Sequence, residues 1–303
     1  MLVTIIAVTM TAPDLRAVEE AYARYLHYQT IERGLVSREL ARGWAAPNVE
    51  GRQYVLMQPE SGEPVYLRFV QSPAVVGYAP LKTHGWNSTE ILVEDPDKLA
   101  EELRKSPFKI IGEPRPLGMN PKVKAMQVIG PANELLYLTR IPPGGSMFDL
   151  GSAKSFVDRT FIVVLGGPDM AAMQQFYGEQ LGLKTYPASP SVVDIVNDAN
   201  GLPHDHAIAI GIVQLPKNFL IELDEYPEVT RPRPQRAGEL PPGMAIVTFG
   251  ASPADHPKDL RWVVQPTARA GKPYDDREVG LLRGAAGELI EVVIIPDRER
   301  ALN

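Results

Sequence analysis

The chain has 303 residues, of which 44% are hydrophobic and 22% charged, so it can bury a large core and is not a disordered polymer. Its net charge of −6, with Lys and Arg scattered along the sequence, gives no attraction for nucleic acid or an anionic membrane, and neither is an expected partner. Cysteine is absent, which excludes disulfides, a thiol nucleophile and thiolate-bound metals.

The opening apolar stretch, residues 1–8, is short and lacks a basic start, so it indicates a strand rather than a signal peptide. No apolar run approaches the roughly 20 residues that a membrane helix needs. We therefore expect a cytoplasmic protein that acts on a small molecule, and we leave a homodimer open.

Apolar periodicity and turn residues predict the same order of elements four times. The first module has a strand at 3–11, a helix at 13–27 and strands at 53–58 and 65–70. The second has a strand at 88–93, a helix at 96–105 and strands at 123–129 and 134–141. The third has a strand at 159–165, a helix at 168–181 and strands at 208–214 and 218–223. The fourth has a strand at 244–250, a helix near 255–264 and strands at 279–283 and 288–295.

The two halves of the sequence are copies of one plan. Segment 21–30 matches segment 176–185, and segment 130–137 matches segment 284–291 at almost the same offset. A stretch rich in Pro and Gly separates the halves. We therefore predict an N-terminal domain at 1–141, a linker at 142–155 and a C-terminal domain at 156–303, each with two modules.

Four tandem modules of this kind resemble the vicinal oxygen chelate superfamily, which includes glyoxalase I, extradiol dioxygenases and bleomycin resistance proteins. The resemblance is carried by the helix-end string 176–183 and the closing Gly-Glu-Leu-Ile-Glu at 287–291. It implies an α+β fold in which βαβββ modules pair into two curved, open-barrel sheets. It also implies that each cleft is lined by one position on the first strand and one on the last strand of each module.

Glu222 and Glu291 each interrupt an apolar strand, and the resemblance implies that both project into one cleft of the second half. Two like charges in a poorly hydrated cleft raise one pKa, so one group can serve as acid and the other as base. This predicts a catalytic pair for a lyase or isomerase that moves protons on a small carbonyl or aromatic-acid substrate. The alternative is that both are structural and bond to the backbone or to Arg159.

In the first half, the matching last-strand positions hold Arg68 and Tyr137. A guanidinium suits a carboxylate and a phenol can donate to a carbonyl, so we predict that they bind substrate, with Trp86 and Asn87 nearby. Arg159, on the first strand of the third module, is a further predicted binding residue. The alternative is that Arg68 pairs with an acidic neighbour and that Tyr137 only packs.

A dioxygenase iron site needs two His and one carboxylate, and the first strands of the second half carry no His. We therefore expect no cofactor and disfavour a dioxygenase. A divalent metal stays open only if His206 reaches Glu222 and Glu291; the alternative is that His206 lies in a solvated loop. Two other functions stay open: a ligand-sequestering protein of the drug-resistance type, and a metal-dependent glyoxalase-like or ring-cleaving enzyme with altered ligands.

Overall fold

The computed structural model describes residues 2–118, 120–216, 218–252 and 260–296. The helices are α1 Leu15–Tyr25, α2 Arg38–Gly43, α3 Pro96–Leu103, α4 Met170–Gln175 and α5 Asp194–Asn200, with a 3-10 turn at Pro47–Val49 and a π turn at Phe176–Gln180. The strands of the first two modules are β1 Leu2–Ala12, β2 Gln29–Leu35, β3 Gln53–Gln58, β4 Tyr66–Gln71, β5 Gly85–Val93, β6 Lys109–Leu117, β7 Asn120–Ile129 and β8 Leu135–Arg140. Those of the last two are β9 Val157–Gly167, β10 Lys184–Val192, β11 Ala207–Leu215, β12 Phe219–Glu225, β13 Met244–Ala251, β14 Val264–Ala268, β15 Glu278–Arg283 and β16 Leu289–Ile294.

Three of the module helices begin in the same way, with an aspartate as the N-cap. The carboxylate of Asp14 accepts from the backbone N–H of Ala17 at 3.0 Å, and that of Asp169 accepts from Ala172 at 2.9 Å. Asp95 caps α3 through two such bonds. A cap of this kind stabilises a helix by about 1 kcal/mol, so the repeated acid fixes where each helix starts.

The strands form two eight-stranded sheets, which confirms the α+β fold of paired modules. Sheet I has the order β14-β15-β16-β13-β1-β4-β3-β2, and sheet II has the order β10-β11-β12-β9-β5-β8-β7-β6. In sheet I, β1 pairs antiparallel with β13; in sheet II, β5 pairs antiparallel with β9. The first module therefore pairs with the fourth and the second with the third, so the expectation that the two modules of one half share a cleft is wrong.

One face of each sheet packs into a common core together with α1, α3 and α4. Trp86 on β5 donates its indole N–H to the carbonyl of Leu289 on β16 at 2.7 Å, which joins the two sheets directly. The face of each sheet that points away from this core is called its cleft face below. Functional residues of the kind the sequence predicts belong on the two cleft faces.

The repeated sequence strings also tie the two sheets together. The hydroxyl of Tyr22 donates to Glu134 at 2.7 Å, and the hydroxyl of Tyr177 donates to Glu288 at 2.9 Å. Both carboxyl groups are buried, and burial raises the pKa of each to about 7. These matching bonds explain why the strings at the helix ends and at the closing turns recur together.

Several peripheral elements have no counterpart in the sequence-based prediction. The strands β2, β6, β10 and β14 lie at the sheet edges, and α2 and α5 are short helices between strands. The first half of the helix predicted near 255–264 lies outside the described residues, whereas residues 260–263 are not helical and Val264 begins β14. Within the described segments, no helix is long and apolar enough to cross a membrane.

Candidate functional site

The cleft face of sheet II brings together three carboxyl groups: Glu90, Glu222 and Asp224, named here the carboxylate cluster. Glu222 and Asp224 are two residues apart on β12 and so share one face. Glu90 lies on β5, separated from β12 by β9 alone, and pairs in register with Tyr137 on β8. The four side chains occupy the centre of the sheet.

A bulge in β5 determines which residues of that strand enter the cleft. The register shifts between Trp86 and Ser88, so that Trp86 lies in the core between the sheets. Ser88 and Glu90 then face the cleft, and Ser88 lies beside Val164, whose other neighbour is Glu222. A local irregularity of the backbone thus adds a carboxyl group and a hydroxyl to the cluster.

Burial sets the electrostatics of the carboxylate cluster. It raises the pKa of Glu90 to about 8, with a further contribution from the neighbouring carboxyl group of Glu222. The pKa of Asp224 is raised to about 7 by burial and by Glu90, against a hydrogen bond from Glu222 that lowers it. Burial, the charge of Asp224 and their hydrogen bond raise the pKa of Glu222 well above its usual value. Glu222 therefore carries the proton of this pair and donates a hydrogen bond to Asp224.

Three polar atoms in this cleft have no hydrogen-bond partner in the described part of the chain. They are Ser88 Oγ, Asp224 Oδ1 and the hydroxyl of Tyr226, all of them buried. Leaving one such group unsatisfied costs about 1–3 kcal/mol. Other groups of the cluster are satisfied: the hydroxyl of Thr139 donates to Glu90 at 2.5 Å. The unpartnered atoms are the groups that a bound molecule would satisfy.

Apolar side chains close both ends of the cleft around these polar groups. At one end, Ile195 of α5 packs with Leu81 and Tyr226. At the other end, Phe148 and Leu150 of the linker pack against the sheet. Ile210 and Ile212 on β11 stay partly exposed and form an apolar wall next to the carboxylate cluster. The site is therefore a polar centre within apolar surroundings.

The corresponding cleft of sheet I is filled by its own side chains. Glu291 is fully buried and accepts from Trp44 Nε1 at 3.0 Å, from Thr248 Oγ1 at 2.7 Å and from the guanidinium of Arg269. The hydroxyl of Tyr274 lies 3.0 Å from the same carboxylate. Trp44 follows α2 and Tyr274 lies between β14 and β15, so two insertions plug this cleft.

This arrangement corrects the prediction that Glu222 and Glu291 face each other. They lie on cleft faces of different sheets, because β12 belongs to sheet II and β16 to sheet I. Arg68 belongs to the plug: its guanidinium donates to Tyr274 at 2.8 Å and lies over the ring of Trp44. With 1% of its surface exposed, Arg68 is closed off from a substrate.

The remaining predicted binding residues lie in different parts of the molecule. Tyr137 lies in the cleft of sheet II, but with Glu90 as its neighbour rather than Arg68. Trp86 is wholly buried between the sheets, which contradicts a binding role for its side chain. Asn87 accepts from the N–H of Leu81 at 2.7 Å and donates to a carbonyl at 2.9 Å, so it fastens a loop. Arg159 lines a different cavity, described below.

The predicted metal ligands do not come together. His206 immediately precedes β11 and lies six positions before Ile212, the register partner of Glu222. That spacing corresponds to roughly 20 Å along a strand. Among the residues that the structure describes, no group of three or more His, Asp or Glu is placed to hold a metal ion. The donor set therefore does not fit the divalent metal that the resemblance implies.

Sequence reasoning missed Glu90 and Asp224. Asp224 had a signal, since Glu222 and Asp224 alternate with apolar residues in the string Phe-Leu-Ile-Glu-Leu-Asp-Glu at Phe219–Glu225. Alternating acids on one strand face the same side, so the second acid could have been added to the first. Glu90 had a weaker signal, because the bulge in β5 breaks the alternation that would have placed it.

Comparisons with known proteins show the fold. No family model matches the chain, and no curated protein matches its sequence. Glyoxalase I from Zea mays is similar in structure, with a TM-score of 0.60 at 15% identity over 96% of this chain and 92% of that chain. A variant of that protein gives a TM-score of 0.63 at 15% identity, over 99% and 96% of the two chains. A candidate dioxygenase from Bacillus subtilis strain 168 gives 0.59 at 11% identity, over 97% and 85%. The chain thus has the vicinal oxygen chelate fold in its four-module form.

Proposed function

We propose that this chain is a small-molecule enzyme of the isomerase or lyase type, which transfers protons on a carbonyl substrate in the cleft of sheet II. The observation that supports the proposal most is the set of unpartnered atoms Ser88 Oγ, Asp224 Oδ1 and Tyr226 OH beside the carboxylate cluster. Perturbed carboxyl groups and unsatisfied donors in one cleft are the groups that proton-transfer chemistry requires.

The pKa values of the three carboxyl groups suggest a different role for each of them in proton transfer. Asp224, with a pKa of about 7, is ionised in part of the molecules at neutral pH, and its free Oδ1 is the base that removes a proton next to the carbonyl. Glu222 keeps its own proton and holds the Asp224 carboxylate through a hydrogen bond. The protonated partner needed for the reverse step is Glu90, with a pKa of about 8.

Negative charge that develops on the substrate oxygen needs a donor, and Tyr137 is the candidate. Burial raises the pKa of its hydroxyl well above the usual value, so it stays protonated and can donate. The substrate proton passes to Asp224, Tyr137 donates a hydrogen bond to the resulting enolate oxygen, and protonated Glu90 gives a proton to the carbon to complete the shift. Because the donor set does not fit a metal ion, no step is assigned to one.

Hydrogen exchange with solvent tests the proposal without knowledge of the natural substrate. A panel of α-hydroxyketones, α-keto acids and aryl ketones is incubated with the full chain in heavy water, and deuterium at the carbon next to the carbonyl is followed by proton NMR. We expect faster exchange for at least one compound than in buffer alone, and loss of that acceleration with Asp224→Asn. Exchange that Asp224→Asn leaves unchanged would sink the proposal.

A second function, sequestration of a hydrophobic ligand, is favoured by the apolar wall of Ile210 and Ile212. A sequestering protein binds its ligand and releases it unchanged. Titration with the same panel separates the two functions: binding without exchange in any bound compound supports sequestration, whereas exchange supports the enzyme. Enlarging the wall with Ile212→Trp should block binding under either function.

A further inference from the structure

A cavity of about 680 Å³ lies at the seam between the two sheets, away from the carboxylate cluster. It is enclosed by the start of β1, the start of β4 at Tyr66, the start of β12 at Phe219 and the segment 272–277. Lys154 of the linker forms part of its rim. We call it the basic cavity.

Within the described parts of the chain, four basic side chains line the basic cavity together with two acidic ones. Glu63 is shared, since Lys154 bonds to it and Arg159 Nε lies 3.7 Å from it. Asp275 is shared in the same way, with Lys272 at 3.0 Å and Arg277 at 3.5 Å. The lining therefore carries a formal excess of two positive charges, in a protein whose net charge is −6.

Arg159 is the most buried cation of the described lining, so water solvates its charge poorly. Arg159 is 6% exposed, lies over the ring of Phe219 at 4.5 Å and donates to the carbonyls of Thr160 and Leu150. Burial lowers the pKa of its guanidinium, while the charges of Asp158 and Glu63 raise it. An anion within the cavity would add further negative charge beside this buried cation.

The cavity also offers a neutral donor and an apolar floor. The hydroxyl of Tyr66 makes no hydrogen bond to any residue that the structure describes, and the ring of Tyr66 is otherwise buried. Ile6, Pro64 and Phe219 supply apolar surface beside the charged groups. A ligand that satisfies this lining has an anionic group at one end and an apolar body at the other.

We propose that the basic cavity binds a small organic anion, a phosphate or carboxylate group joined to an apolar body. Lys154 and Lys272 of the lining contact the anionic group, the hydroxyl of Tyr66 donates to it, and the buried Arg159 adds positive potential. This site is independent of the proposed function, because none of these residues lines the cleft of sheet II.

Calorimetric titration of the full chain with phenyl phosphate, benzoate and neutral benzyl alcohol tests the proposal. We expect the anions to bind and benzyl alcohol not to bind. Tighter binding of phenyl phosphate assigns a phosphate ligand, and equal or tighter binding of benzoate assigns a carboxylate ligand. Because each ammonium makes a charge-assisted contact, the double variant Lys154→Ala/Lys272→Ala should weaken binding by at least about tenfold.

The matched control removes two exposed lysines elsewhere, Lys105→Ala/Lys109→Ala, and changes the net charge by the same amount. It should bind the anion like the unaltered protein, and Tyr66→Phe should weaken binding by about threefold. Circular dichroism verifies that each variant is folded. The proposal is overturned if neither anion binds, if benzyl alcohol binds equally well, or if both double variants lose affinity to the same extent.

Discussion

Glu222 and Asp224 share one proton on the cleft face of β12, with Glu222 as the donor and Asp224 as the acceptor. The pairing leaves Asp224 Oδ1 buried and without a hydrogen-bond partner among the described residues. The fold alone allows many chemistries, and the proposed proton transfer rests on this pair and the neighbouring Glu90.

The rate of proton exchange should follow a bell-shaped pH profile. It should rise around pH 7, where Asp224 loses its proton to become a base, and fall around pH 8, where Glu90 loses the proton that it must donate. Glu90→Gln should lower the exchange rate, because an amide cannot donate the proton, and the residual rate should keep the rising limb and lose the falling limb. Exchange rates from about pH 5 to about pH 10 provide the measurement, and a falling limb that persists in Glu90→Gln would contradict the role of Glu90.

The free energy of unfolding should decrease as pH rises from about 5 to about 8. Glu90, Glu134 and Glu288 have folded-state pKa values well above the 4.5 of an unperturbed Glu, so the unfolded chain ionises first and is favoured as pH increases. Between the two pKa values, each such group changes stability by about 1.4 kcal/mol per pH unit.

Urea unfolding at a series of pH values measures this dependence. Glu90→Gln should flatten the decrease, because the amide keeps the acceptor for Thr139 but cannot ionise. The exposed Glu102→Gln serves as control and should leave the slope as it is. A stability that is constant over this range, or that increases, would show that these carboxyl groups are not held in their neutral form.

Glu291→Gln should destabilise the protein and leave exchange in the folded molecules unchanged. The carboxylate balances Arg269 in a fully buried network, and breaking a buried ion pair costs about 3–5 kcal/mol. Urea unfolding gives the first quantity and the exchange assay gives the second. Loss of exchange in a fully folded Glu291→Gln protein would place the chemistry in sheet I and refute the structural role.

Dialysis against a chelator should leave proton exchange unchanged. Among the described residues, no group of three or more His, Asp or Glu side chains is placed to hold a metal ion, and Glu90 is bonded to Thr139 while Glu222 is bonded to Asp224. Metal content is measured by mass spectrometry before and after dialysis, and exchange is measured on both samples. Activity that disappears with the metal and returns with added Zn²⁺, Mg²⁺ or Mn²⁺ would refute the acid–base account.

Sequence reasoning reached the fold because the modules repeat and resemble those of a known superfamily, and the structure adds a capping aspartate such as Asp14 or Asp169 at the helix starts. The sequence did not predict which modules pair with each other. Repeats show which positions are equivalent, as Glu222 and Glu291 are, whereas the partner of a first strand is decided by contacts distant in sequence, such as those between β1 and β13.

Part of the candidate site was predictable from the sequence, and local irregularities of the backbone explain why the rest was not. Glu222 and Tyr137 follow the alternation of a regular strand, so their direction into a cleft was predictable. Trp86 was misplaced because the bulge after it reverses the face, and this irregularity also concealed Glu90. The plug around Glu291 comes from Trp44 and Tyr274, which lie in irregular segments where periodicity gives no direction.

The most direct test of the account compares Asp224→Asn with Asp205→Asn in the exchange assay, using the carbonyl compound on which the unaltered chain is most active. Asp205 is exposed and precedes β11, so its variant controls for the loss of one acid. The account predicts that Asp224→Asn lowers the exchange rate by at least about a hundredfold, while Asp205→Asn keeps the full rate. Equal rates in the two variants would contradict a base at Asp224 and with it the proposed chemistry of the cleft.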